Sequence, residues 1–288
     1  MPKPAAAFLV LLAVLTGLSR PLRAIDDPVA VASTSSEEYA REKFGPAAPK
    51  PESYLFFEGK FFGGTTRDPN LEHAQFLAIA KTLGENLVRQ NYFPTKDQKK
   101  ADLLIVVHWG VTTTYEDPNK QDGLDRLNGA IAAEQAAAPS MDHSALNSEL
   151  AIADLERGTT ENSIAYNSRL LGFRGEIAKV ENQVSASGSG VTSEEMALRL
   201  ALNEERYFII LMAYDYHTMK KGTKPTLLWS TRFSIRAPGN SFTQALPVMS
   251  RVAADYFGHA VDGLKIETLD APKGKVEIGI PKVVGDGK

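Results

Sequence analysis

The chain has 288 residues, 43% of them hydrophobic and 23% charged, with a formal charge of −3, the balance of an ordinary globular protein. That charge, with no basic stripe to override it, argues against a dedicated nucleic-acid surface. The lack of cysteine excludes disulfides, thiolate metal sites, a cysteine nucleophile and a lipid-modified N-terminal cysteine.

In chain order, Lys3, the apolar run Ala5 to Leu18 and the polar break Ser19 to Ala24 read as a signal peptide, residues 1–24, with cleavage expected after Ala24. The apolar run is short for a bilayer span. Its removal takes the basic count from 32 to 29 against 35 acids, so the mature chain is near −6. No later stretch has the composition of a membrane helix. The expected address is periplasmic or secreted.

Residues 25–52, rich in Pro, Ala, Ser and Glu, read as a flexible lead-in holding one short helix over Ser35 to Phe44, with Ser35 and Glu38 at capping-box spacing. Tyr54 to Phe62 is aromatic-rich and predicts the first strand. Asp68-Pro69 predicts a helix start, and Phe76, Ile79, Leu83 and Leu87 give that helix an apolar face. Asn91-Tyr92-Phe93-Pro94 ends it. Ala101 to Gly110, the most apolar β-branched run after the N-terminus, predicts a strand buried on both faces. Strand, helix and strand of these lengths predict a crossover between parallel strands.

Residues 116–205 change character, becoming polar, alanine-rich and helical in pattern. Their stripes are Leu124, Leu127 and Ile131; then Leu146, Leu150 and Ala153; then Ile164, Leu171 and Val180, interrupted near Gly172 and Gly175. Ser185 to Gly190 reads as a break, and Thr192 with Glu195 as a new cap. About 90 residues is too long for a loop, so this reads as a helical insertion, drawn as a hairpin standing off the sheet. The sheet then resumes with Tyr207 to His217 and Thr226 to Ile235, an antiparallel, half-exposed hairpin. A last helix carries Phe242, Leu246, Met249, Val252 and Tyr256, with Pro247 marking its first turns or a kink. The tail, 266–288, holds one alternating piece, Lys275 to Ile280. The expected fold is α/β (α+β, two layers): a mixed sheet of four or five strands packed by two helices. The sheet domain is split between 53–115 and 206–265 by the insertion 116–205.

No motif for chemistry survives inspection. There is no Gly-x-Ser-x-Gly elbow and no phosphate loop. The five histidines lack metal-ligand spacing. Gly63-Gly64-Thr65-Thr66 precedes a helix, but Asp68 at its N-cap opposes an anion. One cluster stands as a weak candidate: His108 at the end of the central strand, with Asp215 and His217 at the end of another. Aligned strand ends would join them in a pocket for a metal or proton transfer; the plainer reading is a hydrogen-bonded margin of the sheet. No cofactor is implied.

The strand, helix, Asn-Tyr-Phe-Pro stop, lysine-rich link and Ala101-Asp102-Leu103 strand opening resemble uncharacterised bacterial secreted and envelope α/β proteins. So does the later half, with Leu228-Trp229-Ser230 in mid-strand and a closing helix. The layout is similar to the small α/β domains of periplasmic assembly proteins such as the TolB N-terminal domain. The resemblance covers about 54–110 and 207–258; the missing lipobox cysteine and the long insertion depart from it. It implies a non-catalytic envelope role, and the reading adopted is a periplasmic or exported protein that binds a partner at the cell envelope. A secreted hydrolase or metal-binding protein using His108, Asp215 and His217 is the second reading, and self-association through the insertion a third.

Overall fold

The computed structural model describes residues 27–46, 49–114, 159–188, 192–221 and 225–269. The signal segment, the first two stripes of the insertion and the Lys275 to Ile280 piece lie outside these residues.

Seven strands pair in one mixed sheet among the described residues. They are β1 (Val29–Ser35), β2 (Glu52–Phe62), β3 (Tyr92–Pro94), β4 (Leu103–Val111), β5 (Arg206–Asp215), β6 (Leu227–Arg236) and β7 (Lys265–Glu267). Their spatial order is β3-β2-β4-β5-β6-β1-β7. β2 is parallel to β4, as the crossover reading expects, and also to β3, and all other pairs are antiparallel. The mixed α/β class matches expectation; four or five strands does not. The missing ones are β1, β3 and β7. β1 and the helix α1 (Glu37–Lys43) occupy the stretch read as a flexible lead-in, and Ser36, not Ser35, caps α1 through a bond from the Tyr39 N–H. β1 also closes the outer side of β6, so that β6 is largely buried on both faces rather than half exposed.

Alternation along the strands defines two faces. The first carries Tyr54, Leu103, Ile105, Val107, Trp109, Tyr207, Ile209, Leu211, Trp229, Phe233 and Val31, all buried in one cluster. Helices α2 (Pro69–Glu72) and α3 (Phe76–Leu87) and a later helix, here α8 (Phe242–Ala253), cover it with Leu71, Ile79, Leu83, Phe242, Met249 and Ala253. Asp68 and Pro69 start α2 as their residue types dictate, the Asp68 carboxylate accepting the Asn70 N–H at 2.8 Å. Pro247 lies inside α8.

The described helices cover only part of the second face. Helices α4 (159–171), α5 (Arg174–Ser187) and α6 (Ser193–Leu202) bring Ile164, Leu171, Phe173 and Leu202 onto Ala30, Phe208 and Ile210. The described part of the insertion is therefore a third layer seated on the sheet, not a hairpin standing off it. Gly172 at φ +84 breaks α4 from α5, and a Cβ there would sit 2.6 Å from the Ala32 side chain. Thr192 caps α6 by accepting the Glu195 N–H at 3.1 Å. Arg199 ties the layer together through Glu161, Glu181 and Glu195. The buried Asn167 amide donates to Thr113 O and Leu202 O, fixing α4 to the end of β4.

Candidate binding face

The three residues of the predicted cluster do not meet. β4 and β5 run antiparallel, and Leu103 stands opposite Asp215 while His108 stands opposite Ile210. Five residues of strand, about 17 Å, separate His108 from the Asp215 end. Strand ends that point the same way would have joined them; antiparallel pairing sends them apart.

At one end, Asp215 caps the short helix α7 (Tyr216–Lys220) and accepts the His217 and Thr218 N–H groups. His217 Nε2 lies 3.2 Å from Asp102 Oδ1. Asp102 Oδ2 accepts the Ser53 N–H and Oγ–H, both at 2.8 Å. Burial pushes Asp102 upward, but the bonds from Ser53 and His217 outweigh it and hold the carboxyl below its usual range. Asp215 is held low in the same way by Thr218 and His217 against its own burial. The order is Ser–Asp–His. Nucleophilic catalysis needs the imidazole on the hydroxyl, and here the carboxylate stands between them. Both partners of the His217–Asp102 pair are substantially solvated, where such pairs are worth about 0–1 kcal/mol. The arrangement is a corner brace joining β2, β4 and α7. Among the described residues no group of three or more His, Asp or Glu is placed to hold a metal ion.

At the other end, His108 points to the second face. Its Nδ1 accepts the Lys60 N–H at 2.8 Å. Burial, and then the nearby Lys60 charge, lower its pKa. The contact sits in a bulge where β2 gains a residue between Glu58 and Phe61 relative to β4. Glycine is needed at 59, because a Cβ would approach Val107 O to 2.7 Å and His108 Nδ1 to 2.6 Å.

A buried ionic cluster is also present that the sequence concealed. Lys43, in a helix that looks solvated, is 1% exposed. Its ammonium bonds the Lys50 and Asn91 carbonyls, pairs with Glu52 at 3.3 Å and lies 3.9 Å from the centre of the Tyr92 ring. Tyr39 donates to Glu52 at 2.6 Å and shares a hydrogen bond with Tyr92 at 2.9 Å. Burial lowers the Lys43 pKa, with Glu52 opposing it. Every member is engaged by another, so the cluster fastens α1 to the β2–β3 edge. A cleft of about 410 Å³ lies elsewhere, between α2, α3 and α8; the Nδ1 of its one imidazole, His73, bonds Pro69 O at 2.7 Å.

The remaining feature is the part of the second sheet face that no described helix covers. Leu55 and Phe57 of β2, Leu104 and Val106 of β4, and Met212 and Tyr214 of β5 lie in adjacent register on that face. All are at least partly exposed, and Phe57 is 58% exposed. At the border with the helical layer stands Arg232, in one cross-strand row with His108, Ile210 and Ala32. Its guanidinium has neither hydrogen bond nor ion pair with the described residues, and burial lowers its pKa. An apolar patch with a half-desolvated, unpaired cation at its rim has the chemistry of a recognition surface. The alternation of β4 and β5 contained this patch in principle, but nothing local says which face a helix covers.

No protein-family model matches the chain, and no curated protein sequence matches it.

Proposed function

We propose that this is a non-catalytic, exported partner-binding protein of the bacterial cell envelope, and that its working surface is the open patch of the second sheet face. The observation that supports this reading is the juxtaposition of Phe57, Val106, Met212 and Tyr214 with Arg232, which has no partner among the described residues. A partner suited to it is an apolar segment bearing a carboxylate, whose charge meets Arg232 and whose side chains exclude water from the patch. Export is supported by the Lys3, Ala5 to Leu18 and Ser19 to Ala24 pattern at the N-terminus. Among the described residues no helix is long and apolar enough to cross a membrane.

A photo-reactive residue at Tyr214, introduced in the native host and activated in the intact envelope, tests the reading. A discrete adduct is expected, lost in Val106→Asp and in Arg232→Glu while the thermal unfolding of each purified variant stays close to that of the parent. No adduct, or one that both substitutions leave untouched, refutes it.

A further inference from the structure

All the sulfur of the chain is in its six methionines, since cysteine is absent. Among the described residues, Met249 is fully buried in the core of the first face and Met196 is 62% exposed on α6. Met212 differs from both. It stands partly exposed in the apolar patch of the second face, opposite Val106 of β4 on one side and Ser230 of β6 on the other. Its thioether receives the Tyr214 O–H at 3.8 Å. A thioether is a weak acceptor, so this bond leaves the phenol donor poorly satisfied.

Ser230 shares that face. It is 1% exposed, and its Oγ has no hydrogen-bond partner among the described residues. Its neighbours on the face are Thr34 and Met212 across the strands, and Leu228 and Arg232 along its own. Arg232, opposite Ile210, is diagonal to Met212 and likewise has no partner among the described residues. Opposite residues hold their Cβ atoms about 5 Å apart and diagonal ones about 7 Å, within reach of long side chains. Three donors thus gather about one sulfur, and a buried hydroxyl without an acceptor is costly. A sulfoxide is the strong acceptor that this arrangement lacks. We propose that Met212 is a reversible oxidation site, whose sulfoxide is held by Tyr214, Ser230 and Arg232 and turns the patch from apolar to polar, releasing its partner. The oxidant is a peroxide: the sulfur attacks one peroxide oxygen, the O–O bond breaks, an S–O bond forms, and water leaves. Sulfur loses two electrons and the peroxide gains them. A thiol-dependent sulfoxide reductase reverses the step, oxidising two thiols to a disulfide and releasing the oxygen as water. The release of a partner rests on the patch being the working surface; the oxidation site does not.

Hydrogen peroxide on the purified chain lacking residues 1–24, read by peptide mass spectrometry, tests the site. Met212 sulfoxide is expected, with Met249 unmodified. Urea midpoints before and after peroxide are then compared in the parent, in Met212→Leu, and in Tyr214→Phe combined with Ser230→Ala. The parent is expected to lose no more than Met212→Leu loses, and the hydroxyl-deficient variant distinctly more. Sulfoxide reductase with dithiothreitol is expected to restore the untreated midpoint. Should the double variant fail to fold, Tyr214→Phe alone decides. Met212 left intact while Met196 is fully converted, or a hydroxyl-deficient variant no more sensitive than the parent, overturns the site. In the intact envelope, with the photo-reactive residue at Phe57 so that Tyr214 is kept, peroxide is expected to lower the adduct yield about tenfold in the parent and to leave it unchanged in Met212→Leu. An adduct that persists in the parent with Met212 oxidised overturns the switch. No adduct even without peroxide fails the patch reading and the switch with it, while the midpoints still decide the oxidation site.

Discussion

The two faces of the sheet are built on different principles. The first is closed by helices on a continuous layer of large side chains, among them Trp229, Phe233, Leu83 and Phe242, each no more than 1% exposed. The second is closed over Phe208 and Ile210 by helices whose own surfaces are polar and tied by ion pairs. Over Phe57 and Val106 no described helix lies. The strands are shared, so neither backbone nor propensity accounts for the contrast. What differs is what the intervening segments bring: α3 and α8 each present a broad apolar stripe, whereas α5 presents little beyond Ile177 and Val180. The first face carries the larger buried core, and the described helices leave part of the second exposed.

The largest expected difference follows directly. Phe233→Ala, on the closed face, should destabilise by about 3–5 kcal/mol, from lost transfer energy and a cavity that rigid neighbours do not fill. Phe57→Ser, on the open face, should change stability by no more than about 0.5 kcal/mol. Urea midpoints at constant m-value measure both. Equal losses would mean that the second face is as closed as the first.

The residues that a reader of the sequence identifies most easily are those of the first face. β4, β5 and β6 are apolar and β-branched enough to be seen, and the capping residues Asp68 and Thr192 mark helix starts whose geometry is local. β1 is different. Val29-Ala30-Val31-Ala32-Ser33 is short and small-sided, and it owes its burial to β6 and β7 on its flanks and to helices far away in sequence. β3 and β7 are three residues each, too short for any period to show. The site was less legible still. Asp215 and His217 were visibly paired by spacing, but the carboxylate that His217 contacts is Asp102, 115 positions away, and His108 is removed by strand direction, which periodicity does not encode. Lys43 reads as a solvated helix residue; only the tertiary positions of Glu52, Lys50 and Asn91 make it a buried cation. The open patch is legible as apolar side chains, never as uncovered ones.

A middle-sized effect tests whether the helical layer is a second core or a loosely held cover. Ile210→Ala lies beneath it, 6% exposed, and should cost about 2–4 kcal/mol. Because the layer otherwise rests on the sheet through a small apolar cluster and the Asn167 amide, amide exchange should rise first in α4, α5 and α6 and little in α3 or α8. Uniform loosening of both layers would show that the two faces share one cooperative unit and would remove the contrast drawn above.

The smallest effect sets one histidine from each side against the other. His108 lies on the second face. His259 stacks on Phe44 with ring centres 3.8 Å apart, at the end of the layer that closes the first face. Both are lowered below the usual imidazole value, His108 by burial and then Lys60, His259 by burial with Asp255 opposing. In each case the unfolded chain takes up a proton first as pH falls below about 6.5. Stability contributed by the neutral ring is therefore complete above that value, and declines until the depressed folded pKa is passed. Asp102 and Asp215, also held low, act only below the ordinary carboxylate range near 4, so the upper part of the histidine window is free of them. His108→Gln keeps an oxygen to accept the Lys60 N–H and removes the titration. The slope of stability between about pH 6.5 and 5 should fall by a few tenths of a kcal/mol per pH unit in this variant and in His259→Gln, and fall further in the double variant. Urea unfolding at half-unit pH steps measures it. A slope that His259→Gln alone abolishes would mean that His108 is solvated in the folded protein, and that the open part of the second face extends over it.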